Sequence, residues 1–106
     1  MKGTPKQYRN IKDRFPTYHD AVENLGKTIK KAGPLNKKTA ELIQLAAAAA
    51  TRSEGSVHSH TRRALKAGAS EKEIYHALML ITSTVGFPTV SAAMTWAADV
   101  MEKSRV

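Results

Sequence analysis

The tightest constraint on this chain is its apolar spacing. From Thr17 onward every stretch with a clear hydrophobic pattern repeats at the helical period, and none alternates as a strand would. Tyr18, Val22, Leu25 and Ile29 fall at i, i+4, i+7 and i+11, one stripe on a helix that Gly33-Pro34 must stop. Asn36 is a capping residue type, and a second helix follows through Leu42, Ile43 and Leu45 into Ala46 to Ala50, stopping near Ser53-Glu54-Gly55. Alanine combines high helix propensity with little bulk, so other helices can approach this one closely, and it is expected to be central. A third helix from about Glu54 to Gly68 turns Val57, Thr61, Ala64 and Leu65 inward. Ser70 and Glu73 have the spacing of a capping box and open a fourth, striped by Ile74, Ala77, Leu78 and Ile81. Gly86-Phe87-Pro88 breaks it, and Pro88 suits the first turn of a fifth helix carrying Val90, Ala93, Met94, Ala97 and Met101. The expected fold is therefore all-α, with residues 17–106 as a single helical domain. Residues 1–16 are polar, hold Pro5 and Pro16 and show no sustained period, so they read as an N-terminal arm that packs late or on a neighbour.

A length of 106 residues suits one core. The longest apolar stretch, Leu45 to Ala50, is far short of the ~20 residues of a spanning helix, and Met1-Lys2-Gly3 leads into a polar segment without a signal-peptide core. A cytoplasmic protein is the expectation. The absence of cysteine removes disulfides, thiolate nucleophiles and Cys-type zinc sites, leaving four His and nine carboxylates for any metal. A net charge of +8 suggests an acidic partner, but the basic residues are scattered rather than set in one stripe interleaved with the six aromatics. Nucleic acid is thus not the expected partner, a small anionic substrate remains compatible, and a non-enzymatic helical binding module stays open as an alternative reading.

Polar residues converge only at the junction of the second and third helices, Arg52-Ser53-Glu54-Gly55-Ser56-Val57-His58-Ser59-His60. Ser53 and Ser56 stand at a helix start, where free N–H groups and the macrodipole favour negative charge. Ser56 and His60 are four apart on one face, and His60 shares that face with Val57 and Ala64, pointing it inward. An antiparallel return of the third helix can bring Glu41 of the second near His60, giving a carboxylate, imidazole and hydroxyl relay. Each part also has a plain explanation: Ser53 with Ser56 suits an N-cap, Glu54 suits the dipole, and an inward His suits a hydrogen-bonded core residue. His58 and His60 point about 200° apart, so they cannot share a metal. His19 and His76 read as surface or boundary residues, and Met94, Trp96 and Met101 as core or subunit contact.

At these residues the sequence resembles the carboxymuconolactone decarboxylase family, which includes alkylhydroperoxidase D. The matching segments are Leu35 to Ile43, Ser53-Glu54-Gly55-Ser56 through His60 to Ala67-Gly68-Ala69, and Gly86-Phe87-Pro88. The redox branch of that family carries Cys-x-x-Cys-x-x-x-His preceded by a helical Glu. Glu41 and His60 match that Glu and His, while Ser53 and Ser56 stand at the two Cys positions.

The resemblance implies an alkylhydroperoxidase D-like bundle of about five to six helices, assembled by helix packing into a homo-oligomer, a trimer or hexamer. It implies catalytic positions at Glu41, Ser53, Ser56 and His60, with Glu41 and His60 relaying a proton to a thiol during hydroperoxide reduction, and a dithiol reductant as possible partner. No cofactor and no metal are implied. Serine has the shape of cysteine without an accessible anion or a disulfide, so thiol chemistry is expected to be silent in this chain. The second branch, the lactone decarboxylases, lacks the cysteines naturally and acts on a small anionic lactone. Its members usually carry Glu at the second Cys position, where this chain has Ser56.

Overall fold

The computed structural model describes residues 6–104, which fold into seven helices with no strand among them. In chain order these are α1 (Lys6–Arg14), α2 (Pro16–Lys31), α3 (Lys37–Ala50), α4 (Glu54–Lys66), α5 (Glu71–Met79), α6 (Thr82–Val85) and α7 (Phe87–Ser104). The all-α expectation holds. Two helices exceed the five that the pattern predicts: α1, inside the segment read as an arm, and α6, a single turn between α5 and α7. Of that arm, residues 1–5, with Pro5, lie outside the described residues.

The helix ends follow local chemistry. Asn36 Oδ1 accepts the Thr39 N–H at 2.8 Å and starts α3. At α5 the capping box forms in full: the Glu73 N–H donates to Ser70 Oγ at 3.0 Å, and the Ser70 N–H donates to Glu73 Oε1 at 2.9 Å. Helix α4 ends at Lys66 with Ala67 as its C-cap, and Gly68 follows at φ 98°, the left-handed conformation that favours a residue without Cβ. Pro88 lies in the first turn of α7, where its missing N–H has no intrahelical acceptor to lose.

The chain divides into two compact units, Met1–Leu35 and Asn36–Val106. The second unit holds the whole apolar core. Helix α3 packs on α4, α5 and α7, and α4 packs on α7. Leu45, Ile74, Leu78 and Met101 are fully buried between them, along with Val57, Ala64, Val90, Ala93 and Ala97. Each large side chain so buried is worth roughly 1.5–3 kcal/mol of hydrophobic stabilisation. Ala48 and Ala49 are buried too, and their small size lets α4 and α7 close on the centre of α3. Met94 and Trp96 pack against this core from its edge.

The first unit is built differently. Helix α1 packs on α2, and Tyr18, Val22, Leu25 and Ile29 are exposed. Its one buried residue of the described part is His19, at 7% exposure, which corrects the surface or boundary placement drawn from sequence. His19 Nδ1 lies 3.3 Å from Asp20 Oδ1 and its Nε2 3.8 Å from Glu23 Oε1, so carboxylates of its own helix accompany it. No helix among the described residues is long and apolar enough to cross a membrane.

Candidate active site

The site grows from a helical hairpin. After α3 ends at Ala50, the chain reverses through Thr51 and Arg52, and Arg52 takes φ 56°, a left-handed conformation uncommon for a residue with a Cβ. The Arg52 guanidinium donates from Nη1 to Thr89 Oγ1 at 2.7 Å, tying the reversal to the first turn of α7. The Ser53 N–H then donates to the Ala48 carbonyl at 3.0 Å, which closes the turn and aims α4 back along α3. This antiparallel return brings residues 19 apart in sequence together.

Glu41 and His60 are those residues. His60 Nδ1 is 2.9 Å from Glu41 Oε1. Glu41 is 1% exposed, whereas the His60 side chain keeps 18% of its surface. An ionised carboxylate can only accept, so with Glu41 ionised the pair puts the imidazole proton on Nδ1 and leaves Nε2 as the free lone pair. A buried carboxylate orienting a partly exposed imidazole is the arrangement that prepares a general base. The expected inward turn of Glu41 toward His60 is thus present in the structure.

Ser53 and Ser56 occupy the start of α4. Ser53 is its N-cap, with Oγ accepting the Ser56 N–H at 3.4 Å, while Ser56 itself is exposed in the first turn. The helix cap expected of Ser53 is therefore present. Ser56 precedes His60 by four residues on α4, a spacing that puts the two on one side of that helix. The free N–H groups of this helix start favour an anion at either serine position.

His58 faces away from this pair. Its Nε2 lies 3.5 Å from Asp99 Oδ2 on α7 and 4.0 Å from Glu54 Oε2. The two imidazoles of the His58/His60 pair thus take different carboxylates on different sides of α4. An open cleft of about 430 Å³ on the His58 side is lined by His58, Asp99, Glu102 and Lys103, and Glu41, Ser53, Ser56 and His60 are not among its lining residues. Among the described residues no group of three or more His, Cys, Asp and Glu side chains is placed to hold a metal ion. His76 is exposed, as expected.

Sequence reasoning passed over two further polar side chains. Gln44 follows Glu41 by three residues on α3, and its buried Oε1 has no hydrogen-bond partner. Thr61, next to His60, is fully buried with Oγ1 also unpartnered. The i+3 spacing from Glu41 was the available signal for Gln44. Nothing in the pattern distinguished Thr61 from an ordinary inward residue of α4.

The sequence model of the Carboxymuconolactone decarboxylase family matches residues 16–99, most of the chain. Two uncharacterised proteins of Methanocaldococcus jannaschii are similar to it, one 28% identical over 78 residues, covering 74% of this chain and 73% of its own length. The other is 27% identical over 85 residues, covering 79% and 82%. Among solved structures, the apo form of a carboxymuconolactone decarboxylase family protein from Legionella pneumophila superposes with a TM-score of 0.79 at 27% identity. That match spans 92% of this chain and 86% of the Legionella chain.

Proposed function

Since the chain belongs to the carboxymuconolactone decarboxylase family, we propose that its α3–α4 hairpin is laid out as a hydroperoxide-reducing thiol site in which both thiol positions carry serine. The observation that supports this reading is the 2.9 Å contact between His60 Nδ1 and the buried Glu41 carboxylate, with Ser53 and Ser56 heading the same helix as His60. In this reading Glu41 orients His60, and His60 carries a proton to and from the group at position 56. With cysteine at both positions a dithiol partner would re-reduce the pair, and the protein acts in the cytoplasm as a trimer or hexamer. Nucleic acid and membranes play no part.

Oxygen in place of sulfur stops the reaction for two reasons. A serine hydroxyl ionises far less readily than a thiol, and the helix-terminal field is too small to close that gap; such fields contribute about 0.3–1 kcal/mol at exposed sites. Two hydroxyls also cannot couple into a disulfide, so the electrons needed to reduce a hydroperoxide have no source. The chain as it stands is therefore silent in thiol chemistry.

The test compares hydroperoxide consumption, in the presence of a dithiol reductant, between this chain and its Ser53→Cys, Ser56→Cys variant. Turnover confined to the variant, and abolished by adding Glu41→Gln or His60→Ala, supports the reading. A folded dithiol variant without turnover overturns it.

The lack of any cysteine favours a second reading, in which the same His60, held by Glu41, acts as general base on a small anionic lactone. A steady-state screen of small lactones with the unaltered chain decides this one. Turnover that disappears with His60→Ala supports it, and its absence across the screen removes it.

A further inference from the structure

The serines at the head of α4 stand beside an acid–base pair that can work on oxygen as well as on sulfur. With Glu41 ionised and 2.9 Å from Nδ1, the imidazole of His60 keeps its Nε2 lone pair available, and the ring retains 18% of its surface. Ser56 lies four residues earlier on the same side of the helix, a spacing that sets the two Cβ atoms about 5–6 Å apart. Side chains tilt toward the start of their helix, so the imidazole leans toward Ser56. The Ser56 hydroxyl is exposed and bonds to no other described residue, whereas Ser53 Oγ is occupied as the helix cap. Of the two serines, Ser56 is the one at liberty to react.

The same helix start supplies what an attacked carbonyl needs. The Glu54 and Gly55 N–H groups open α4 and have no acceptor among the described residues. Gly55 carries no Cβ, and one built there would meet nothing within 4 Å, so the space beside it is open to a ligand. The Glu54 carboxylate lies 4.0 Å from His58 Nε2, turned toward the other side of α4. Negative charge developing on a carbonyl oxygen at this end of the helix meets two N–H donors and the positive end of the dipole.

We propose that Ser56 is an acyl-transfer nucleophile, with His60 as its general base and Glu41 as the positioning residue behind His60, and that the chain as it stands hydrolyses small carboxylic esters. Ser56 Oγ bonds to the ester carbonyl carbon as its proton passes to His60 Nε2. The bond from that carbon to the alcohol oxygen then breaks, and His60 gives the proton to the departing alcohol. Water repeats the sequence on the acyl-serine: it gives a proton to Nε2, and the acid departs as that proton returns to Ser56 Oγ. No electrons are exchanged, so the missing thiols that silence peroxide reduction are no obstacle here. Nor must serine ionise in advance, because the base takes its proton as the new bond forms. Ser56 is exposed at a helix head, where nothing encloses a long acyl chain, so the acyl group is a short one. The inference rests on the same Glu41–His60 pair as the functional reading, but not on thiols at positions 53 and 56.

The test mixes the unaltered chain with p-nitrophenyl acetate, follows nitrophenolate release, and locates acetyl groups by peptide mass mapping after acid quench. The proposal expects an initial burst of about one nitrophenolate per chain with acetyl on Ser56, both lost in Ser56→Ala at unchanged helix content. His60→Ala should slow acetylation of Ser56 about 10²-fold, the low end of what a positioned general base contributes. Glu41→Gln keeps the shape of the side chain, but its amide can donate to Nδ1 and send the imidazole proton to Nε2. It should slow the reaction as well, whereas a merely structural Glu41 would leave the rate unchanged. Acetylation confined to lysines and the N-terminus, or labelling of Ser56 that proceeds at the parent rate in His60→Ala, overturns the proposal. Hydroperoxide turnover by the Ser53→Cys, Ser56→Cys variant alongside an unlabelled Ser56 in the parent removes this inference and leaves the thiol-site reading standing. A labelled Ser56 alongside an inactive dithiol variant does the opposite.

Discussion

Removing the Glu41 carboxylate separates the cost of the Glu41–His60 pair from its use. Glu41 is 1% exposed, and its Oε1 lies 2.9 Å from His60 Nδ1. In Glu41→Ala the pair loses a charge-assisted hydrogen bond, worth about 1.5–3 kcal/mol, together with a buried methylene worth about 0.8 kcal/mol. Against this stands relief of the carboxylate's desolvation, several kcal/mol for a buried ion, and water reaching an imidazole that is 18% exposed. The expected net loss is about 2 kcal/mol, below the ~3–5 kcal/mol that follows when a fully buried partner is stranded. For a domain of this size that lowers Tm by roughly 8–16 °C. Replacing both partners by apolar residues of similar volume, Glu41→Met with His60→Leu, should return the stability to within about 1 kcal/mol of the parent or above it, since buried ion pairs are often neutral against apolar substitutes. Urea unfolding of the parent, the three single substitutions and the double substitution closes the cycle, and the coupling should come to about 1–2 kcal/mol. A double variant whose loss equals the sum of its singles would refute the reasoning, because the two side chains would then contribute independently and the pair would carry no coupling.

Three further outcomes are expected. Leu45→Ala, at a fully buried position on α3, should cost about 3 kcal/mol with an unchanged urea m-value, and a loss under about 1 kcal/mol would mean that the surrounding alanines collapse into the gap. Gly68→Ala, at φ 98°, should cost about 1 kcal/mol or more by thermal unfolding; a neutral result would show the turn adopting another conformation. Glu73 is held below the ordinary carboxylate range, first by the Ser70 N–H and then by Lys38, whose Nζ is 2.9 Å from Oε2. A lowered folded value means that this stabilisation is complete above the unfolded carboxyl's pKa of about 4.3 and is lost as pH falls through the folded value. The stability difference between the parent and Glu73→Gln should therefore shrink in acid, and a difference that widens there contradicts the assignment.

Much of this fold is written locally, and particular residues show where that stops. Asn36, Ser53 and Ser70 mark helix starts because each supplies an oxygen within reach of an N–H three residues on. Helix α1 carries no such mark: its first turn holds no acidic residue, and it is strongly polar. It is legible only as part of the arm. The stripe of α2 was legible as a stripe, since spacing reports a shared face, but spacing says nothing of what the face meets. His19 was misplaced for the same reason, because burial belongs to the neighbours of a side chain and not to its type. At the site, the inward turn of His60 follows from its register with Val57 and Ala64. Its pairing with Glu41 needed the direction of the α3–α4 reversal, which depends on a left-handed Arg52 that no propensity announces.

That reversal has a kinetic consequence. Glu41 and His60 are brought together across only 19 positions, so closing the hairpin costs little chain entropy, and the entropy rises only slowly with loop length in any case. Contacts of short sequence separation form early in helical proteins. The acid–base pair should accordingly assemble with the first stable hairpin of the folding chain, before α7 arrives to supply Thr89. Destabilising substitutions at Ala48 or Leu45 should slow refolding, whereas those at Val90 or Ala97 should mainly speed unfolding.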